Sequence, residues 1–201
     1  FMVYRKSNGD IGSLDYREKA PLSASKDMYL DSLGNVIPDK STLGATAVGV
    51  PGTVAGVIAV HEKFGSLPLE VILTPVIALA ERGVVVTKKQ EERLEGYRKI
   101  IIEVNSDSTF FAKVYKEGDT LKYPALAKTL KKIAKEGRDG FYKGETAKTL
   151  ADFIQGNGGY VTEEDLAVYE AQWRQPIVFK YKDIKIISMS PPSSGGVTMN
   201  Q

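Results

Sequence analysis

The 201-residue chain has no cysteine and a single histidine, His61. Without thiols there is no disulfide, no zinc–thiolate site and no cysteine nucleophile. That absence fits either redox compartment and does not choose between them. One histidine excludes a multi-histidine metal site within the chain. Long hydrophobic runs are missing too: no stretch of about 18 apolar residues occurs, so no segment reads as a membrane-spanning helix. Excess charge of one sign is also lacking. The 27 basic and 25 acidic residues leave a net charge of +2, too small to mark a nucleic-acid partner. What remains, 42% hydrophobic and 26% charged residues, is the composition of an ordinary globular protein. The length supports one good core or two small ones.

The chain opens on "FMVYRK", already inside a strand-like run, and stops at "PPSSGGVTMNQ" with no closing element. It is therefore expected to be a piece of a longer polypeptide, with any leader or catalytic partner lying outside it. Residues 2–16 read as a hairpin. Val3 and Tyr4 precede Asn8-Gly9, which suits a type I′ turn, and Ile11 and Leu14 follow. A Ser-, Asp- and Gly-rich loop runs from Pro21 to about Gly49. Pro51 and Pro68 suit the first turns of two helices, through Phe64 and through Arg82, the second ended by Gly83 and interrupted by Pro75. Thr87 and Gln90 form a capping-box pattern for a helix through Val104. Residues 124–136 predict a basic amphipathic helix closed by Gly137, and Glu145–Gln155 predicts another. Thr162, Glu163, Glu164 and Asp165 open a last helical turn, with acids at the positive end of its dipole.

From Pro176 the pattern returns to strands, 176–181 and 184–189 around Lys182-Asp183. The expected fold is α+β, with sheet strands at both ends and a helical lobe inserted between them. Residues 1–50 would form the N-terminal hairpin and loop of a core sheet, 51–170 the helical lobe, and 171–201 the C-terminal strands of that sheet. Trp173, the one tryptophan, falls where the lobe meets the second hairpin.

Several segments could carry chemistry, and most have an ordinary structural reading. His61 sits near a helix C-terminus, where the dipole favours an imidazolium, but the sequence places no nucleophile beside it. Ser193 and Ser194 follow Pro191-Pro192, yet a serine hydrolase needs a base oriented by a third group, and the G-x-S-x-G elbow is missing. A tight turn whose glycines pass close to another segment accounts for them. "GVPGTVAG", residues 49–56, lacks the lysine of a phosphate loop and the spacing of a dinucleotide motif. Close helix packing at Gly52, Ala55 and Gly56 accounts for it. Lysines 113, 116, 122, 128, 131, 132 and 135 have no interleaved aromatics and read as a solvated helix face. In "DYREKAP", residues 15–21, Asp15 and Glu18 flank Arg17. This is either a solvated strand end or an anion receptor in which both acids fix the guanidinium, whose fork matches a carboxylate.

"FMVY", "DYREKAP", "VGVPGTVAG", "KFGSLPLEVILTPVIALAERGVVV", "FYKGETA", "NGGYVTEEDLAVYE" and "MSPPSSGG" occur in this order with no large gap. Together they resemble the large-subunit region of gamma-glutamyltranspeptidase, over essentially all 201 residues. The resemblance implies a fragment of an N-terminal-nucleophile hydrolase with an αββα sandwich, made as a precursor that cuts itself into large and small subunits. The new N-terminal threonine of the small subunit attacks the gamma-glutamyl amide of glutathione or a related compound. Its own α-amine can act as base, and the acyl group then passes to water, an amino acid or a peptide.

By this resemblance Arg17 binds the α-carboxylate of the gamma-glutamyl group, supported by Asp15 and Glu18, and no metal or cofactor is implied. The partners implied are gamma-glutamyl compounds and the small subunit, and the location implied is periplasmic or secreted. The nucleophile segment is absent. None of Thr42, Thr46, Thr53 or Thr198 matches it, so the fragment alone is expected to be inactive. Two other readings stay open: a related acylase of the same superfamily, and a stand-alone helical interaction domain without catalysis.

Overall fold

A short hairpin sets the frame of the N-terminal region. In a computed structural model describing residues 1–106 and 108–201, β1 (Met2–Arg5) and β2 (Ile11–Asp15) pair antiparallel, from Met2 opposite Leu14 to Arg5 opposite Ile11. Their connection is not the expected type I′ turn. Only Gly9 takes a positive φ, 94°, while the Lys6 N–H and C=O bond to Asp10 O and Gly9 N. The Asn8 side chain accepts from the Asp10 N–H at 3.0 Å. Bonding to the backbone two residues on, which asparagine favours, stabilises this longer turn instead.

β2 is buried from Gly12 to Asp15 because a third strand covers its other edge. That strand, β5 (Gln172–Arg174), places Arg174, Trp173 and Gln172 opposite Ser13, Leu14 and Asp15. Three residues carry too little periodicity to be read as a strand, yet they join the start of the chain to a segment 161 residues later. Trp173 meets Phe64 and Tyr4 edge-on, with centroids 5.9 and 6.2 Å away, and the Lys63 ammonium lies 3.8 Å from its ring centre.

Helices fill the middle: α1 (Thr53–Phe64), α2 (Leu69–Arg82), α3 (Lys88–Asn105), α4 (Pro124–Glu136), α5 (Asp139–Tyr142), α6 (Gly144–Gly156) and α7 (Glu163–Ala167). Both prolines expected in first turns stand just outside them. Pro68 is the N-cap of α2, and Pro51 precedes the Gly52 cap of α1. A missing N–H costs nothing there either, and the fixed φ suits the entering chain. Gly83 ends α2 with φ 89°. The capping boxes of Thr87 with Gln90 and Thr162 with Asp165 are both formed reciprocally. Two small elements have no clear trace in the sequence: α5, and the ribbon of β3 (Val84–Val85) with β4 (Thr120–Leu121).

The main core gathers Val50, Ala55, Tyr142, Ala147, Ala151, Ile154, Val161, Leu166 and Tyr169. Its centre is a stacked pair, the Tyr142 and Tyr169 rings, 5.8 Å apart and 6° from parallel. A smaller cluster of Ile77, Ala80 and Ala127 joins α2 to α4. Beyond the lobe, β6 (Ile177–Tyr181) and β7 (Ile184–Ser188) pair with each other, and among the described residues with no other strand. The glycine turn expected after Pro192 continues into a short helix, α8 (Gly195–Asn200). Its Gly196 lies close to the Met189 carbonyl, where a Cβ would come within 2.7 Å.

Two helical glycines should respond oppositely to a methyl group. At Gly56 an added Cβ would run into the Tyr16 ring, whereas at Gly96 in α3 it would meet nothing within 4 Å. Gly56→Ala should destabilise by about 1–3 kcal/mol through overpacking. Gly96→Ala should stabilise by about 0.5–1 kcal/mol through helix propensity. Thermal unfolding of both variants checks this, and equal shifts of one sign would contradict the packing described.

Candidate functional site

The segment Asp15–Lys19 leaves β2 and crosses the start of α1 under many restraints. The Asp15 Oδ1 accepts from the Arg17 N–H at 3.1 Å, and the Tyr169 hydroxyl donates to the Arg17 carbonyl at 2.7 Å. Lys19 exchanges both backbone bonds with Val50, at 3.2 and 2.8 Å. The Tyr16 hydroxyl donates to Phe1 O at 2.8 Å. Gly52 lies against the Tyr16 carbonyl and the Tyr169 hydroxyl, with no room for a side chain, so "GVPGTVAG" is a packing surface for this segment. Arg17 thus projects from a fixed backbone.

Its side chain is half-exposed and pairs with one neighbour, Arg17 Nε to Glu18 Oε1 at 2.9 Å. Hydrogen bonding from Arg17, then from the Glu18 backbone, holds the Glu18 carboxyl below the usual carboxylate range. Among the described residues, Nη1 and Nη2 of Arg17 make no hydrogen bond to the protein, so the end of the fork is open to solvent. An open guanidinium edge on a rigid backbone can accept a carboxylate through two parallel bonds.

The structure places Asp15 differently from the expectation that it fixes this guanidinium. Asp15 is buried, with Oδ1 on the Arg17 main chain and Oδ2 on Arg174 Nε at 2.8 Å. A buried carboxylate must find donors. It takes one locally, two residues on, and one from the neighbouring strand. Arg174 is a contributor that the sequence did not reveal, since 159 residues separate the partners.

Tyr169 is the second such contributor. Burial above all, then Tyr142, Asp15 and Glu18, pushes its phenol up to about 12. Arg138 Nη2 donates to the carbonyls of Ala167 and Tyr169, at 2.9 and 2.6 Å, and its guanidinium carbon lies 4.7 Å from the centre of the Tyr142 ring. The Tyr142 hydroxyl donates to Pro51 O at 2.7 Å.

The remaining candidates have local roles. The His61 Nε2 bonds to Leu67 O at 2.8 Å and ties the end of α1 to the next loop. Ser194 precedes α8 and its carbonyl accepts from the Thr198 hydroxyl. The Thr46 hydroxyl donates to Lys40 O. Among the described residues no serine or threonine hydroxyl bonds to a basic nitrogen, and no cluster suited to a metal occurs. Four of the lysines read as a solvated face are paired with acids: Lys116, in the turn before β4, with Glu91 of α3, and from α4 Lys131 with Glu81 and Lys128 and Lys132 with Glu145.

The family model for gamma-glutamyltranspeptidase matches residues 1–201. The glutathione hydrolase proenzyme of Escherichia coli strain K12 is 41% identical over 205 residues, covering 100% of this chain and 35% of that protein. The crystal structure of Helicobacter pylori gamma-glutamyltranspeptidase superposes with a TM-score of 0.94 at 44% identity, over 98% of this chain and 58% of that one. The Pseudomonas nitroreducens enzyme complexed with L-DON gives 0.90 at 40% identity, over 98% and 58%. The chain spans about a third of the length of the curated relatives it matches.

Two measurements test this geometry. Arg174→Met strands the buried Asp15 carboxylate and should destabilise by about 1–3 kcal/mol, read by denaturant unfolding. For Tyr169 the folded pKa is raised, so its contribution is complete below the ordinary tyrosine range and is lost as pH climbs through about 12. Spectrophotometric titration should show a late-ionising tyrosine that Tyr169→Phe removes. Ionisation of all ten tyrosines in the ordinary range, with the fold intact, would contradict the burial.

Proposed function

Since the chain belongs to the gamma-glutamyltranspeptidase family, we propose that the protein it comes from cleaves gamma-glutamyl amides such as glutathione, passing the gamma-glutamyl group to water, an amino acid or a peptide. The observation that carries this for the chain itself is Arg17, with a fixed backbone and an open Nη edge. In this reading its guanidinium takes the donor's α-carboxylate and Glu18 aligns it through Nε. Asp15 sets its position through the main chain.

The division of labour is the one the family implies. An anchoring cation holds the donor but breaks no bond; membership of the family implies that the nucleophile is the N-terminal threonine of a small subunit, in polypeptide outside these 201 residues. Its hydroxyl adds to the gamma-carbonyl while its α-amine accepts the proton. The amide nitrogen then departs as a protonated amine, leaving an acyl-enzyme for water or an acceptor amine to open. No step calls for a metal or cofactor.

The outer face of α2 supports a cover of further polypeptide. Val71, Ile72, Val76 and Leu79 are exposed there, beside the packed Ile77 and Ala80. A contiguous exposed apolar patch of this kind commonly marks a contact surface. By family resemblance, residues 1–50 and 171–201 belong to the core sandwich and 51–170 to its helical lobe, in a periplasmic or secreted enzyme.

The test is Arg17→Met in the full-length, matured enzyme. KM for a gamma-glutamyl anilide should rise about 10- to 100-fold, the worth of one charged anchor, with kcat changed far less. An unchanged KM removes Arg17 from the donor site.

A further inference from the structure

We propose that Tyr169 is a positioning residue for donor binding, fixing through its hydroxyl the backbone from which the Arg17 guanidinium reaches the donor. This rests on the reading of Arg17 as the carboxylate anchor. The Arg17 side chain cannot orient itself: it is half-exposed, and its one ion pair is to the adjacent, equally exposed Glu18, an arrangement that holds a side chain weakly. What the fold fixes is the backbone from which the fork extends. Both polar backbone groups of Arg17 are held by side chains, the N–H by Asp15 and the C=O by Tyr169.

Asp15 acts from two residues away, on a strand end that Arg174 and β5 hold in place. Tyr169 acts from 152 residues away and ties the segment to the core. Its ring is 2% exposed, stacked on Tyr142, and lies 4.9 Å beneath the Lys19 ammonium. Its carbonyl is held by Arg138, and Gly52 presses on its hydroxyl. The hydroxyl has one place to point, and the Arg17 carbonyl is there. As a phenol it is a protonated donor at neutral pH. Without that bond the segment from Tyr16 to Glu18 has one tether fewer. Donor binding then has to order it, a cost carried by the ground state and transition state alike.

The experiment compares Tyr169→Phe, Arg17→Met and the core variant Ile154→Val in the full-length, matured enzyme. Two donors are used: a gamma-glutamyl anilide, and the matching 4-aminobutyryl anilide, which lacks the α-carboxylate. Tyr169→Phe should raise KM for the first donor about 3- to 10-fold, as expected for one hydrogen bond, with kcat within about 2-fold. It should leave kcat/KM for the second donor unchanged and add nothing in an Arg17→Met background.

Ile154→Val matches a modest loss of stability and should leave the two-donor ratio alone. An equal loss on both donors, or the same shift from Ile154→Val, assigns Tyr169 a merely structural role and overturns the inference. An unchanged KM in Tyr169→Phe, with a raised KM in Arg17→Met, overturns it while leaving the anchor standing. If Arg17→Met itself changes nothing, the anchor reading falls and the inference falls with it. If Tyr169→Phe does not mature, Arg138→Met, which frees the Tyr169 carbonyl and removes no hydrogen bond to residues 16–18, gives the same comparison.

Discussion

Everything around Arg17 depends on β2 being enclosed on both edges. β1 comes from the same hairpin, but β5 arrives after the whole helical lobe has been laid down. That late strand brings Arg174 to the Asp15 carboxylate. It directly follows the stretch containing Tyr169, whose hydroxyl reaches the Arg17 carbonyl. The site is held by bonds between the two ends of a long excursion. A charged side chain near the surface gains a defined position without being buried itself.

This division of exposure suits a cation that must meet an anion. Burying the guanidinium would strip it of water at a cost of several kcal/mol, whereas an exposed arginine on a loose loop would lose its order to entropy. Here the backbone is inside and the fork is outside. The buried groups that hold it, the Asp15 carboxylate and the Tyr169 phenol, each have a partner, as low-dielectric surroundings require.

Much of the scaffold was legible in the sequence because local rules decide it. The capping boxes at Thr87 and Thr162, the span of α4 and the hairpin of β6 and β7 follow from side chains within a few residues of one another. The positions read wrongly are those where a local preference had alternatives. Asn8 chose a side-chain bond over a type I′ turn, and Pro51 and Pro68 sat before their helices instead of within them. At the site, Arg17 and its acids stood out as a motif. Arg174 and Tyr169 did not, since no spacing links residues more than 150 positions apart. The lysines of α4 read as a solvated face, and the fold brings Glu81 and Glu145 across to Lys128, Lys131 and Lys132.

The placement of Trp173 has a practical side. It is the one indole in the chain, it stands on β5, and it touches Tyr4 and Phe64 from the opening hairpin and first helix, beneath the Lys63 ammonium. Its emission is therefore sensitive to the packing of β5 against the opening hairpin and the first helix. Pairings of such high sequence separation are among the slowest to form. Within these 201 residues the indole thus offers an intrinsic optical probe of the frame beneath Arg17.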